Sequence, residues 1–150
     1  MLRAELVDQA PRHLVSRMSV GVRFGETDLM GVVHHASYLL YLEAARIDWL
    51  RRRGASYETW LKRGAHLPVA ELSLRYHKPA RFPDELVLET ARQRVSPVSA
   101  SFVTVIRRGD EVLCTASVRL ACVDDALELT DIPDDLAEVL ERGELPGLES

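Results

Sequence analysis

Asp28 and His35 lie on one short segment, ETDLMGVVHHASYLLYLEAAR (residues 26–46), with Gly31 and Val33 between them and Tyr38 just beyond. The segment opens on two carboxylates, Glu26 and Asp28. It then passes two adjacent histidines, His34 and His35, and runs straight into Tyr38-Leu39-Leu40-Tyr41-Leu42. A loop carboxylate followed by a helix start supplies two parts of an acyl-transfer site. The carboxylate can activate water as a general base or attack a carbonyl carbon itself, and the residues leave both routes open. The first N–H groups of a helix have no intrahelical acceptor and sit at its positive end, so amides near His35 suit an oxygen that becomes negative.

Each of these residues has a plainer use. Asp28 can close an Asx-turn. Gly31 can serve a positive-φ bend, although the same freedom lets a substrate approach the backbone. His34 reads as a cap or core residue, and Glu26 as structural or solvent-facing. Successive helical side chains point about 100° apart, so His34 and His35 are not expected to share a ligand. Asp28, His35 and Glu43 complete no recognisable metal site, and neither metal nor cofactor is expected.

The elements that position these residues follow from periodicity. Met18, Val20, Val22 and Phe24 alternate with polar or small residues, the pattern of a half-buried strand. A helix is expected from His35 or Ser37 to Arg53, closed by Gly54, with Arg51, Arg52 and Arg53 favourable at its negative end. Its first three turns are apolar on nearly every side, which predicts burial all round, with Glu43 and Arg46 on the one polar stripe. A shorter helix covers Ser56 to Arg63. Strands are then expected over Ala70–Tyr76, Leu86–Val95, Ser99–Arg107 and Val112–Val123, with a tight turn at Arg108-Gly109-Asp110. A last helix starts near Pro133 and turns Leu136, Val139 and Leu140 inward. This order predicts an α+β domain, a curved antiparallel sheet of about five strands around a long central helix.

Composition narrows the function classes. The 150 residues suit one domain with a real core. Nineteen basic against 23 acidic residues leave a formal charge of -4, which argues against nucleic-acid binding through overall positive charge. The first fifteen residues carry no signal-like apolar stretch, and no apolar run approaches the roughly 20 residues of a membrane span, so a cytoplasmic protein is expected. Cys114 and Cys122 sit in one expected strand, roughly 27 Å apart at ~3.4 Å per residue. That is too far for a disulfide, and both read as small buried apolar residues.

The run VRFGETDLMGVVHHASYLLYLEAAR, together with RYHKPARFPDEL and the closing hairpin, resembles hotdog-fold thioesterases of the 4-hydroxybenzoyl-CoA thioesterase-like group, including the Tol-Pal-associated acyl-CoA thioesterases. The likeness covers roughly residues 16–142. It implies hydrolysis of an acyl-CoA thioester, with Asp28 as base or nucleophile and the His35 position giving a backbone donor to the thioester carbonyl. Gly31, Val33, Tyr38 and Ser101 are the implied substrate contacts. Arg75, Lys78, Arg92, Arg94 and Arg107 are candidates for the phosphates of CoA, none assigned individually. A homodimer joined edge to edge, or a tetramer, is implied, with the site between subunits. One departure stands out: Phe24 occupies a position where related enzymes often carry Tyr. A hotdog dehydratase on acyl thioesters and a non-catalytic acyl-thioester-binding module are the alternatives.

Overall fold

The structure is a computed structural model that describes residues 3–143. Strand β1 (Val15–Gly21) leads through a 3₁₀ turn (Phe24–Glu26) and an irregular loop into helix α2 (Ser37–Arg52), with α1 (Arg3–Gln9) preceding it all. Then come α3 (Tyr57–Lys62), β2 (Val69–Tyr76), β3 (Glu85–Val95), β4 (Ser99–Arg108), β5 (Glu111–Ala121) and α4 (Asp134–Arg142). The five strands form one antiparallel sheet in the order β1-β3-β4-β5-β2. The expected α+β architecture is therefore present.

The strand order departs from a simple meander. β3–β4 and β4–β5 are hairpins, but β2 pairs with β5 and β3 with β1, so residues 77–84 cross from one edge of the sheet to its interior. That crossing segment carries Ala80 and Arg81 past the loop before α2, where Val32 and Arg81 form a bridge.

β4 shows no alternation because both faces are covered. Phe102 and Ile106 face α2 and pack with Trp49 and with the Tyr38–Tyr41–Leu42 cluster. Val103 and Val105 face the other way and meet Val7 of α1. Helix α1 was not expected from the sequence: its seven residues bury only Val7, too little for a periodic signal.

Within this chain, Phe24, helix α2 and strand β2 are less buried than their apolar patterns suggest. Phe24 does not continue the β1 alternation; it lies in the 3₁₀ turn, 75% exposed, with its ring edge-on to Phe82 at 5.9 Å. Helix α2 is not buried all round within this chain. Tyr38, Tyr41, Leu42, Ala45, Trp49 and Leu50 face inward, whereas Leu39 and Leu40 are 41% and 61% exposed. The helix packs chiefly over β1 and β3 and meets β2 through Tyr38 against Tyr76. β2 is likewise no half-buried strand: Val69, Leu72 and Tyr76 are exposed and only Leu74 is partly covered. Apolar sequence on both elements thus meets packing on one side only.

Candidate active site

The loop after β1 is built from its own hydrogen bonds. The Asp28 N–H donates to the Val32 carbonyl at 2.8 Å and the Gly31 N–H to the Asp28 carbonyl at 3.0 Å. Asp28 Oδ1 accepts the Met30 N–H at 2.8 Å, so the aspartate does close an Asx-turn. Among the described residues no donor reaches its second oxygen, Oδ2. Gly31 supplies the bend at φ +78°, a left-handed conformation that strains any residue with a Cβ. Thr27 and Val33 bridge across the loop, and the buried Val33 donates its N–H to the Ala80 carbonyl at 2.8 Å.

His34 and His35 precede α2 rather than belong to it, which corrects the reading of two successive helical residues. Their rings stack, with centroids 4.1 Å apart. His34 Nδ1 accepts the Ala36 N–H at 3.1 Å, an exposed local cap and not a core contact. The His34 N–H donates to the Glu26 carbonyl at 2.8 Å. The His35 carbonyl accepts the Tyr76 hydroxyl at 3.0 Å, which fixes the residue from β2. The His35 N–H donates to no acceptor among the described residues.

A cavity of about 340 Å³ lies here, and Asp28, Val33, His35, Tyr38, Tyr76 and His77 line it. Tyr38 is buried, its ring edge-on to Tyr76 at 5.2 Å, and its hydroxyl accepts the Ala80 N–H at 3.3 Å. Burial raises both the Tyr38 and the Tyr76 hydroxyl above the usual tyrosine value, so both remain protonated donors at neutral pH. Of the residues expected at the site, Asp28, Val33, His35 and Tyr38 come together, and Gly31 shapes the turn that carries them.

Ser101 does not join them. It is buried in β4 opposite Arg94 and Arg119, five residues before Ile106, which lies in the cluster around Tyr38. At ~3.4 Å per residue that is roughly 17 Å along the strand. Tyr76 and His77 line the site although only the strand was legible there; the break of alternation in Tyr76-His77-Lys78-Pro79 was the available signal. Of the five candidate cations for phosphate, Lys78 lines this cavity and Arg75, Arg92, Arg94 and Arg107 do not. Lys78 pairs with Glu111 at 3.1 Å and Arg107 with Glu89 at 2.6 Å, and Arg92 donates to backbone carbonyls. Arg75 and Arg94 have no ion-pair partner among the described residues. Nor do any three His, Cys, Asp or Glu side chains among those residues form a metal-ligating group.

Residues 22–140 match the family described as Thioesterase-like superfamily. The chain belongs to the thioesterase-like superfamily. The acyl-CoA thioester hydrolase YbgC of Escherichia coli is 31% identical over 72% of this chain and 81% of its own length. YbgC of Haemophilus influenzae, named an acyl-CoA thioesterase, is 34% identical over 70% of this chain and 78% of its own length. Of two further curated relatives, at 33% and 36% identity, the chain spans 66% and 55% of the length. Among solved structures, a hypothetical protein from Thermus thermophilus is 36% identical, with a TM-score of 0.81 over 85% of this chain and 98% of that one. The sheet wrapped on α2 is the hotdog fold of this superfamily.

Proposed function

We propose that this member of the superfamily hydrolyses an acyl-CoA thioester to a free acid and CoA. The observation that carries the reading is that Asp28, with one carboxylate oxygen unpaired among the described residues, and His35, with an unpaired N–H, line the same cavity. The relatives named for acyl-CoA thioester hydrolysis support the substrate class.

The thioester carbonyl oxygen accepts the His35 N–H, and the carbonyl carbon faces Asp28. Asp28 either takes a proton from water, whose oxygen adds to the carbon, or adds its own oxygen to form an anhydride that water then opens. In both routes the negative oxygen is stabilised by a donor that needs no reorganisation. Its collapse breaks the C–S bond, and the CoA thiolate leaves and takes up a proton. Val33 and Tyr38 wall the acyl side. Neither route calls on a metal or cofactor.

The active form in this proposal is a homodimer or homotetramer. The open β2 edge and the exposed Leu39, Leu40, Val69 and Leu72 are the surface a second copy would cover. A cytoplasmic setting fits two buried cysteines that remain free.

A thiol-release assay across acyl-CoA chain lengths and one benzoyl-type ester tests the activity. Release from at least one ester, lost in parallel with the oligomer on dilution, is the expected result. Absence of thiol release from every ester overturns the proposal, and hydration of an enoyl-CoA without thiol release would put a dehydratase in its place.

A further inference from the structure

The most heavily engaged carboxylate near the site is that of Glu26, which the chemistry above does not use. Its Oε1 accepts the Arg23 N–H at 2.8 Å and the Tyr41 hydroxyl at 2.8 Å. Its Oε2 accepts the Arg23 guanidinium at 3.2 and 2.9 Å. The side chain is only 11% exposed, and Tyr41 on α2 is buried. The backbone of the same residue acts in the opposite direction. The Glu26 carbonyl accepts the His34 N–H at 2.8 Å and the Ser37 hydroxyl at 3.2 Å. One residue is therefore gripped by α2 and by the exit of β1, and itself grips the end of the loop and the first residue of the helix.

The two groups that face the thioester hang on either side of this anchor. Asp28 lies two residues after Glu26, and His35 directly follows the histidine that Glu26 holds. The geometry points to Glu26 as a positioning residue of the active site: pinned by Tyr41 and Arg23, it sets the Asp28 carboxylate against the His35 N–H. This inference rests on the proposed roles of Asp28 and His35 and adds what holds them in register. A shift of about 1 Å between reacting groups can cost on the order of a hundredfold in rate. The anchor thus acts on turnover and not on affinity.

Glu26→Gln is a selective probe because the Arg23 amide and guanidinium, which hold the two carboxylate oxygens between them, are donors only. Whichever way the glutamine amide is turned, its NH₂ meets one of those N–H groups. Tyr41→Phe removes one hydroxyl from the same anchor and leaves the buried ring in place, so it serves if the glutamine variant fails to fold. Both are assayed for kcat and KM of thioester hydrolysis on folded protein, alone and combined with Asp28→Asn. The expected result is a kcat reduced about ten- to a hundredfold, a KM within about twofold of the parent, and no further loss when either is added to Asp28→Asn. Unchanged kcat in Glu26→Gln and Tyr41→Phe, with Asp28→Asn impaired, overturns the positioning role and leaves the mechanism standing. An equal fold-loss with and without the aspartate also overturns it, since the effect is then independent of Asp28. If Asp28→Asn itself retains full turnover, the proposed catalytic roles fail instead.

Discussion

The two ends of helix α2 are built on opposite principles. At the C-terminal end most of the donors are spent, and of the Arg53 guanidinium only the buried Nε lacks a partner among the described residues. Arg53 donates to the carbonyls of His13, Val15 and Trp49 and to the Ser16 hydroxyl, lies 3.8 Å from the Trp49 ring centroid, and so ties the entry of β1 to the helix. The Trp49 indole adds a bond to the Leu14 carbonyl at 2.9 Å. Burial, with the neighbouring Arg52, lowers the Arg53 guanidinium to about 10, which still leaves it charged at neutral pH. At the N-terminal end Asp28 and His35 line a cavity, and a carboxylate oxygen of the one and the backbone N–H of the other have no partner among the described residues. Where polar groups are satisfied, they hold the fold together. Where they are left unsatisfied beside a cavity, they are available to a substrate.

The sharpest way to break this contrast is Asp28→Asn. Asparagine keeps the Asx-turn to Met30, so the folded structure should survive nearly intact. An amide is neither a base nor a nucleophile, and the expected loss is roughly 10²–10⁴ in turnover, or about 3–5 kcal/mol of barrier. Binding of acyl-CoA should persist, because the His35 N–H remains. Thiol release and ligand binding measured on one folded preparation decide it. Undiminished turnover would remove Asp28 from the chemical step.

Arg53→Met should do the reverse. It strips donors from three carbonyls and a hydroxyl while leaving an apolar stem, and the cost should be about 2–3 kcal/mol of stability. For a chain of this size that is roughly a 5–10 °C fall in Tm. Turnover per folded molecule should stay near the parent value. A variant that melts normally but hydrolyses poorly would show that the C-terminal end serves the chemistry as well as the fold.

The same contrast explains what the sequence could disclose. Helix α2 was legible because its signals are local: an apolar run from Tyr38 and a Gly54 that takes φ +78° just past the end. The strands β3, β4 and β5 were legible within a residue or two for the same reason. Asp28, Gly31 and His35 share one contiguous segment, so the candidate site could be read almost whole. The strand order could not, because the crossing at residues 77–84 depends on which edge is free. Glu26 read as structural or solvent-facing, and its engagement with Tyr41, fifteen residues on, is invisible until the helix folds back beside the loop. Ser101 lies apart from that segment within this chain, and a distance along β4 carries no local mark in the sequence. The exposed Leu39 and Leu40 were expected inside because an apolar helix reports that it wants covering, not what covers it.

The smallest expected effect is a difference in acid sensitivity between the two ends. Burial pushes the Glu26 carboxyl up, but the Arg23 amide, the Arg23 guanidinium and the Tyr41 hydroxyl outweigh it and hold it below its ordinary value. A carboxyl held low binds fewer protons in the folded state than in the unfolded one. Its contribution to stability is therefore complete above the ordinary carboxylate value and drains away as pH falls through the folded value. Arg53 is protonated throughout that range and adds no slope. Urea unfolding at neutral pH and at about pH 3 should thus show a smaller acid loss in Glu26→Gln than in the parent. The remainder of the loss persists, since Asp84, which accepts the Arg81 amide and pairs with Arg108, and Asp135, paired with Arg63, are also held below their ordinary values. Arg53→Met should be less stable at both pH values and fall in parallel with the parent. Identical acid losses in parent and Glu26→Gln would mean that the Glu26 anchor carries no net charge-dependent stabilisation, and the distinction between an acid-sensitive N-terminal end and an indifferent C-terminal end would be lost.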